Sequence, residues 1–213
     1  MLLYTYFRSS ASWRVRIALA LKGISSSHQV VRTTEGQQDA PEFRRKNPLG
    51  VIPVLDIGDG TVLNQSLAII EWLEETHPAP PLLPTDPVDR AKVRAFALAI
   101  ACEIHPLNNL RVLKYLEQTM GQNEPRQTLW YQHWIAQGLG ALETAIQDNS
   151  RSPFCFGDVP SLADVFLVPQ MANARRWKCS LDAYPTLLRA EAAALVLPAF
   201  RNTAPERQPD AVA

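Results

Sequence analysis

Short apolar runs and helical repeats of apolar positions succeed one another in the first third of this chain. Leu2 to Tyr6 is apolar and aromatic, the pattern of a strand. Ser12 to Lys22 carries apolar positions at Val15, Ile17, Ala18, Leu19 and Leu21 and stops at Gly23, the pattern of a helix. His28 to Thr33 predicts a second strand, and the polar stretch from Glu35 to Lys46 a short helix before Asn47-Pro48. Pro53 to Ile57 and Thr61 to Leu63 predict two strands joined through Gly58-Asp59-Gly60, a hairpin signal. Ser66 to Glu75 predicts a helix with Leu67, Ala68, Ile69, Ile70, Trp72 and Leu73 as its apolar surface. The order is β-α-β-α-β-β-α, which one small mixed sheet with helices packed on it satisfies.

The composition then shifts. The run from His77 to Pro87 is too rich in proline for regular helix and reads as a linker. We therefore expect a first domain over residues 1–77, a linker over 78–87 and an all-helical domain over 88–213. Four helices are expected in the last, at Val88–Met120, Arg126–Ile146, Leu162–Arg176 and Pro185 to about Leu195. Ser161-Leu162-Ala163-Asp164 has the form of a capping box opening the third. Polar residues with Pro205 and Pro209 mark the segment from Thr203 onward as a tail lying loosely on the surface.

With 213 residues, 46% of them hydrophobic and 20% charged, the chain can bury an ordinary globular core. Cationic and anionic residues number 21 each, so no net field draws nucleic acid or an anionic membrane. The longest apolar runs, such as Ala95 to Ala101, are too short to cross a bilayer and no signal peptide is evident; the cytoplasm is the expected compartment. Cys102, Cys155 and Cys179 are odd in number and widely spaced, which argues against a disulfide framework, a zinc site or a dithiol motif. No metal is expected.

Candidate chemistry gathers in a few segments. Arg8-Ser9-Ser10-Ala11-Ser12 sets hydroxyls and backbone N–H groups at a strand-to-helix junction, where a helix N-terminus favours an anion such as a thiolate. The same serines would serve equally as helix caps. Ser66, after Gln65, has the same two readings, carboxylate ligand or cap. Pro53 is tolerated at a strand start because it needs no ladder bond from its own nitrogen. Pro106 should open a helix beside His105, Asn108 and Asn109, which share a helical face at i, i+3 and i+4, with Arg111 at its edge. Arg8, Arg111 and Arg175-Arg176 offer guanidinium groups for bidentate carboxylate recognition, or are plain surface cations.

Three separated segments narrow the reading. Ser9-Ser10-x-Ser12-Trp13-Arg14-Val15-Arg16-Ile17-Ala18-Leu19, the run Gln65 to Glu75, and Phe156-Gly157-Asp158 with Leu162-Ala163-Asp164 and Leu167-Val168-Pro169-Gln170 resemble the zeta-class glutathione transferases. That class includes maleylacetoacetate isomerases and bacterial maleylpyruvate isomerases, and the resemblance runs from Leu2 to about Pro209. It implies the glutathione transferase fold: an N-terminal thioredoxin-like α/β domain of β-α-β-α-β-β-α order, and an all-α C-terminal domain. It implies glutathione as cofactor, with Ser9 activating the thiol and Ser10 beside it. It implies a cis Ile52–Pro53 bond that turns the Ile52 backbone toward the cysteinyl backbone of glutathione. Gln65 and Ser66 correspond to the γ-glutamyl contacts, and Gln38 to a glutamine near the glycine end. The segment with His105, Asn108 and Asn109 lies over that glycine end in the family, and Arg8, Arg111 and Arg176 are expected on substrate carboxylates. Ala11 stands where many zeta enzymes have cysteine, which weighs against chemistry by an enzyme thiol.

The function so implied is glutathione-dependent cis–trans isomerisation of a maleyl keto acid to its fumaryl isomer, in catabolism of aromatic compounds or amino acids. A homodimer is expected, with a small dicarboxylate keto acid as partner and neither nucleic acid nor membrane. Arg111 resembles the maleylpyruvate isomerases and the Arg8–Trp13 end the maleylacetoacetate isomerases, so the keto acid stays open. A general glutathione transferase or dehalogenase for electrophilic xenobiotics is one alternative, which the three arginines disfavour. A non-catalytic glutathione-binding protein is another, against which Ser9 and Gln65-Ser66 speak.

Overall fold

A computed structural model describes residues 1–149 and 151–211. The chain divides into two compact units, Met1–Pro81 together with the chain from Leu197 on, and Leu82–Val196.

The first unit runs β1 (Leu2–Thr5), α1 (Ser10–Leu21), β2 (Ser27–Val30), 3-10 turns at Thr33–Glu35 and Gln37–Asp39, α2 (Pro41–Lys46), β3 (Val54–Gly58), β4 (Thr61–Asn64) and α3 (Ser66–Thr76). The sheet order is β2-β1-β3-β4, with β1 parallel to β2 and antiparallel to β3. Gly58 pairs with Thr61, so the hairpin turn is Asp59-Gly60, and both residues have positive φ (53° and 77°) as a type I′ turn requires. Alternation along β1 sorts its side chains between two faces. Tyr4 and Tyr6 pack with Phe43 of α2, Ile52 and Val54. Leu3, paired with Leu55, and Thr5 point to the other face, where the Thr5 hydroxyl meets Arg16 of α1. Lys22 closes the far end of α1, donating to Glu74 (2.7 Å) and to the carbonyls of His77 and Pro80.

The second unit holds α4 (Pro87–Leu98), a π-helical turn at Ala99–Ile104, a 3-10 turn at Pro106–Asn108, α5 (Leu110–Gln118), α6 (Glu124–Ile146), α7 (Leu162–Arg176) and α8 (Pro185–Val196). The single helix expected over Val88–Met120 is thus broken. The His105 N–H reaches back five residues to the Ile100 carbonyl (2.9 Å), and Pro106 has no N–H to continue the ladder. Asn109 is extended (φ −70°, ψ 150°), so His105, Asn108 and Asn109 do not share one helical face.

Gly138 of α6 lets that helix approach the π-helical turn: a Cβ there would lie 2.2 Å from the Ile104 side chain. Gly138→Ala should therefore cost about 1–3 kcal/mol by overpacking, read as a lowered urea midpoint. An unchanged midpoint would mean that the turn at 99–104 yields freely. α7 is the buried centre of the unit, packed against α4 and α8. The expected capping box opens it: the Ser161 hydroxyl accepts from the Ala163 N–H (3.2 Å) and Asp164 from the Ser161 N–H (2.8 Å).

The tail differs from expectation. α9 (Pro198–Arg201) packs on α1, and 3-10 turns follow at Pro205–Arg207 and Pro209–Ala211. Thr203 accepts from the Trp13 indole (3.1 Å) and Asp210 from the Phe7 N–H (2.9 Å). The segment is held by polar groups of the first unit, and the helical unit ends at Val196 rather than at residue 213. Among the described residues no helix is long and apolar enough to cross a membrane.

Candidate active site

The chain leaves β1 through a tight turn. The Tyr6 carbonyl accepts the Ser9 N–H at 3.0 Å, enclosing Phe7 and Arg8. Ser9 then caps α1, its Oγ accepting from the Ser12 N–H at 3.1 Å. A hydroxyl used as acceptor keeps its proton for another partner, and the N–H that polarises it strengthens that donation. Capping and donation to a ligand are therefore compatible roles of one oxygen. Ser10 is buried in the first turn, and the Ser12 hydroxyl is buried without a hydrogen-bond partner among the described residues. Arg8 is exposed, its guanidinium 5.3 Å from the centre of the Phe7 ring.

The Ile52–Pro53 bond is cis. Among the described residues, no backbone hydrogen bond outside the helices and strands uses the Ile52 N–H or carbonyl. Gln65 adopts φ 67° and ψ 117°, an unusual conformation for a residue with a side chain. It is Gln65, not Ser66, that occupies the cap position of α3, and it makes no side-chain cap bond. The first N–H groups of α3 are thus open to an anion. Ser66 is buried one residue further on, where its hydroxyl accepts from Arg14 Nη1 at 3.3 Å. Gln65→Gly should relieve strain and raise stability by about 1 kcal/mol, measured by thermal unfolding. A loss of stability would show that the glutamine side chain itself holds the junction.

Arg14, 1% exposed, puts a cation behind this helix start. Its place is not evident from sequence, although two arginines within Trp13-Arg14-Val15-Arg16-Ile17 cannot both leave the buried side of one helix. Gln38 lies half-buried in its 3-10 turn, with Nε2 donating to Asp39 (3.0 Å) and a buried Oε1 that has no partner among the described residues.

In the second unit, Asn108 is buried and neither polar atom of its amide has a partner among the described residues. Asn109 caps α5 by accepting from the Arg111 N–H (3.1 Å), a structural use of that side chain. Arg111 is exposed on the first turn of α5, and His105 is half-buried. Trp130 Nε1 of α6 donates to the Leu107 carbonyl (2.8 Å), holding the turn between His105 and Asn109. The next residue, Tyr131, stacks on Trp177 with ring centres 4.3 Å apart. Burial pushes the pKa of its hydroxyl up to about 12, with the nearby positive charge of Arg176 opposing the rise. α6 therefore ties the polar turn through Trp130 and packs on Trp177 through Tyr131. The neighbouring Arg175 turns away and pairs with buried Glu191. Cys155 is fully buried, and burial with the Asp164 carboxylate pushes its thiol well up, out of nucleophilic range. Among the described residues no group of three or more His, Cys, Asp or Glu could hold a metal ion.

Within the first unit, a capping hydroxyl with a spare proton, the Ile52 backbone just before β3, a helix N-terminus without a side-chain cap and a Gln38 oxygen unpartnered among the described residues suit a thiol peptide with a free carboxylate. Residues 8–76 match the N-terminal domain family of the glutathione S-transferases. The chain is 46% identical to maleylacetoacetate isomerase of Pseudomonas aeruginosa, across 99% of this chain and 98% of that one. Among solved structures, a holo maleylpyruvate isomerase, described as a bacterial glutathione transferase of the zeta class, superposes with a TM-score of 0.96 at 44% identity, covering 99% of each chain. A maleylacetoacetate isomerase from Methylobacterium extorquens, with bound malonate and glutathione, gives a TM-score of 0.96 at 38% identity over 100% of each chain. The fold is that of the glutathione transferases. The chain belongs to their zeta class, the family of the maleylacetoacetate and maleylpyruvate isomerases.

Proposed function

We propose that this chain is a glutathione-dependent isomerase that converts a maleyl keto acid, maleylacetoacetate or maleylpyruvate, to the fumaryl isomer. The observation that carries the reading is the Ser9 hydroxyl, which accepts from the Ser12 N–H at the start of α1 and so keeps its proton for sulfur. When bound, glutathione supplies the thiolate whose reversible addition to the activated double bond allows rotation about it.

The chain's own residues bind, orient and polarise. Ser9 donates to the sulfur, and Ser10 with the α1 N-terminus adds favourable potential. Ile52 offers one backbone donor and one acceptor to the cysteinyl peptide, in the manner of strand addition. Gln65 and Ser66 receive the γ-glutamyl head at the N-terminus of α3, with Arg14 supplying positive charge behind it. Gln38, His105, Asn108 and Asn109 are assigned to the glycine end; for Asn109 only what capping leaves free can serve. Arg8, Arg111 and Arg176 are assigned to the carboxylates of the keto acid. The malonate bound in the M. extorquens relative, itself a dicarboxylate, supports that substrate class.

A spectrophotometric assay with maleylacetoacetate and maleylpyruvate, each with and without glutathione, tests the proposal. Turnover only with glutathione is expected, and equal turnover without it overturns the mechanism. Arg111→Ala should raise KM for the keto acid by about tenfold or more, the loss of one charge-assisted carboxylate contact, with kcat much less affected. An unchanged KM would remove Arg111 from the site. The resemblance further supports a cytoplasmic homodimer, for which sedimentation should give twice the 23.8 kDa chain mass.

A further inference from the structure

The turn that carries Arg8 and Ser9 is gripped on both sides of one residue. The Phe7 N–H donates to Asp210 Oδ2 at 2.9 Å, and the Phe7 carbonyl accepts from Arg16 Nη2 at 3.4 Å. Arg16 Nη1 also donates to the Thr5 hydroxyl (2.9 Å) and to the Tyr6 carbonyl (3.4 Å), the same carbonyl that takes the Ser9 N–H. Arg16 is 3% exposed; burial lowers its pKa to about 10 and the Asp210 carboxylate opposes the fall, so it is a cation at neutral pH.

Asp210 lies 203 residues along the chain from Phe7. Its segment has a separate anchor on α1, where Trp13 Nε1 donates to the Thr203 hydroxyl (3.1 Å) and Arg16 Nε to the Thr203 carbonyl (3.2 Å). The last turn is therefore not needed merely to hold the tail down. Its carboxylate is spent on the middle of the turn leading to Ser9. The cap bond from the Ser12 N–H holds Ser9 from the helix side, while on the strand side its placement depends on how firmly the Phe7 peptide is held, and small misplacements of a catalytic group are costly.

We propose that Asp210 is a positioning residue for Ser9. Its carboxylate, backed by Arg16, fixes the Phe7 peptide and so aims the Ser9 hydroxyl at the glutathione sulfur. The inference rests on the proposed function, in which Ser9 donates to that sulfur.

The test titrates the ultraviolet thiolate band of the glutathione complex with pH, alongside steady-state kinetics and thermal unfolding. It compares the full-length protein with Asp210→Ala, Asp210→Asn and Thr203→Val. Removing a negative charge alone would pull the bound thiol's pKa down. Loss of positioning does the opposite, so Asp210→Ala should raise it by about one unit and lower kcat by about tenfold. Asp210→Asn, which loses the charge but keeps an oxygen for the Phe7 N–H, should show no rise. Thr203→Val, which loosens the distant anchor, should lower Tm and leave the thiol pKa in place. A wild-type thiol pKa in Asp210→Ala overturns the inference, whatever happens to Tm. Absence of a thiolate band in the saturated wild type overturns the functional reading itself.

Discussion

Ser9→Ala should lower kcat/KM for the glutathione-dependent reaction by about 10²- to 10³-fold, the usual loss when one preorganised donor to a developing or resident anion is removed. The same substitution removes the cap of α1, which costs about 1 kcal/mol and is far too little to unfold the protein. The two effects can be separated, because the oxygen that accepts from the Ser12 N–H also donates outward. Ser9→Asp keeps a good cap and puts a negative charge where a thiolate has to sit. It should therefore hold the wild-type Tm and lose activity at least as severely as Ser9→Ala. Turnover of Ser9→Ala within twofold of wild type would transfer the activating role to another group.

Asp164→Ala should cost about 3–5 kcal/mol of stability, more than the overpacking at Gly138 in the same unit. The carboxylate accepts from the Cys155 N–H (2.9 Å), the Ser161 N–H (2.8 Å) and the Ser161 hydroxyl (3.0 Å), all in a fully buried setting. Burial raises the carboxyl's pKa while these hydrogen bonds pull it back. Alanine leaves two backbone N–H groups buried and unpaired, and weakens the capping of the helix that ends in Arg176. Asp164→Asn should recover part of the loss, since one acceptor oxygen remains. Urea titration measures both, and a cost below about 1 kcal/mol for alanine would mean that the 155–161 loop rearranges to satisfy itself.

Features legible in the sequence are local. The Asp59-Gly60 turn, the Ser161–Asp164 capping box and the apolar strand at the N-terminus each declare themselves within a few neighbouring residues. The proposed thiol-peptide site is legible only through the family resemblance, because Ser9, Ile52-Pro53 and Gln65-Ser66 each sit at the start of an element, where a cap or a strand-start proline reads the same as a ligand group. The finer geometry is not. Placing the cap of α3 at Gln65 requires a backbone conformation that no side chain announces. Pro106 foretells a break, but the wide turn before it also depends on Gly138, more than thirty positions away. The tail reads as loose because Pro205 and Pro209 carry no hint of Phe7 or Arg16, the groups that receive it. Arg14 and Arg16 announce no role of their own, because burial of a cation is decided by partners remote in sequence.

The wide turn at Ala99–Ile104 bears on how this protein can change. A π-helical turn holds the equivalent of one residue inserted into an α-helix, and each inserted residue rotates the downstream segment by about 100°. Deleting Ala101 would leave the buried stripe of Val93, Phe96 and Ala97 where it is and swing Ile104 and His105 a quarter-turn or more around the axis. The surplus residue thus joins two registers, an upstream one set by α4 packing and a downstream one set by buried Ile104 against Gly138. A single codon lost there would re-aim the polar turn only together with Ile104, so descendants of this chain can vary that turn only by repacking it against Gly138 as well.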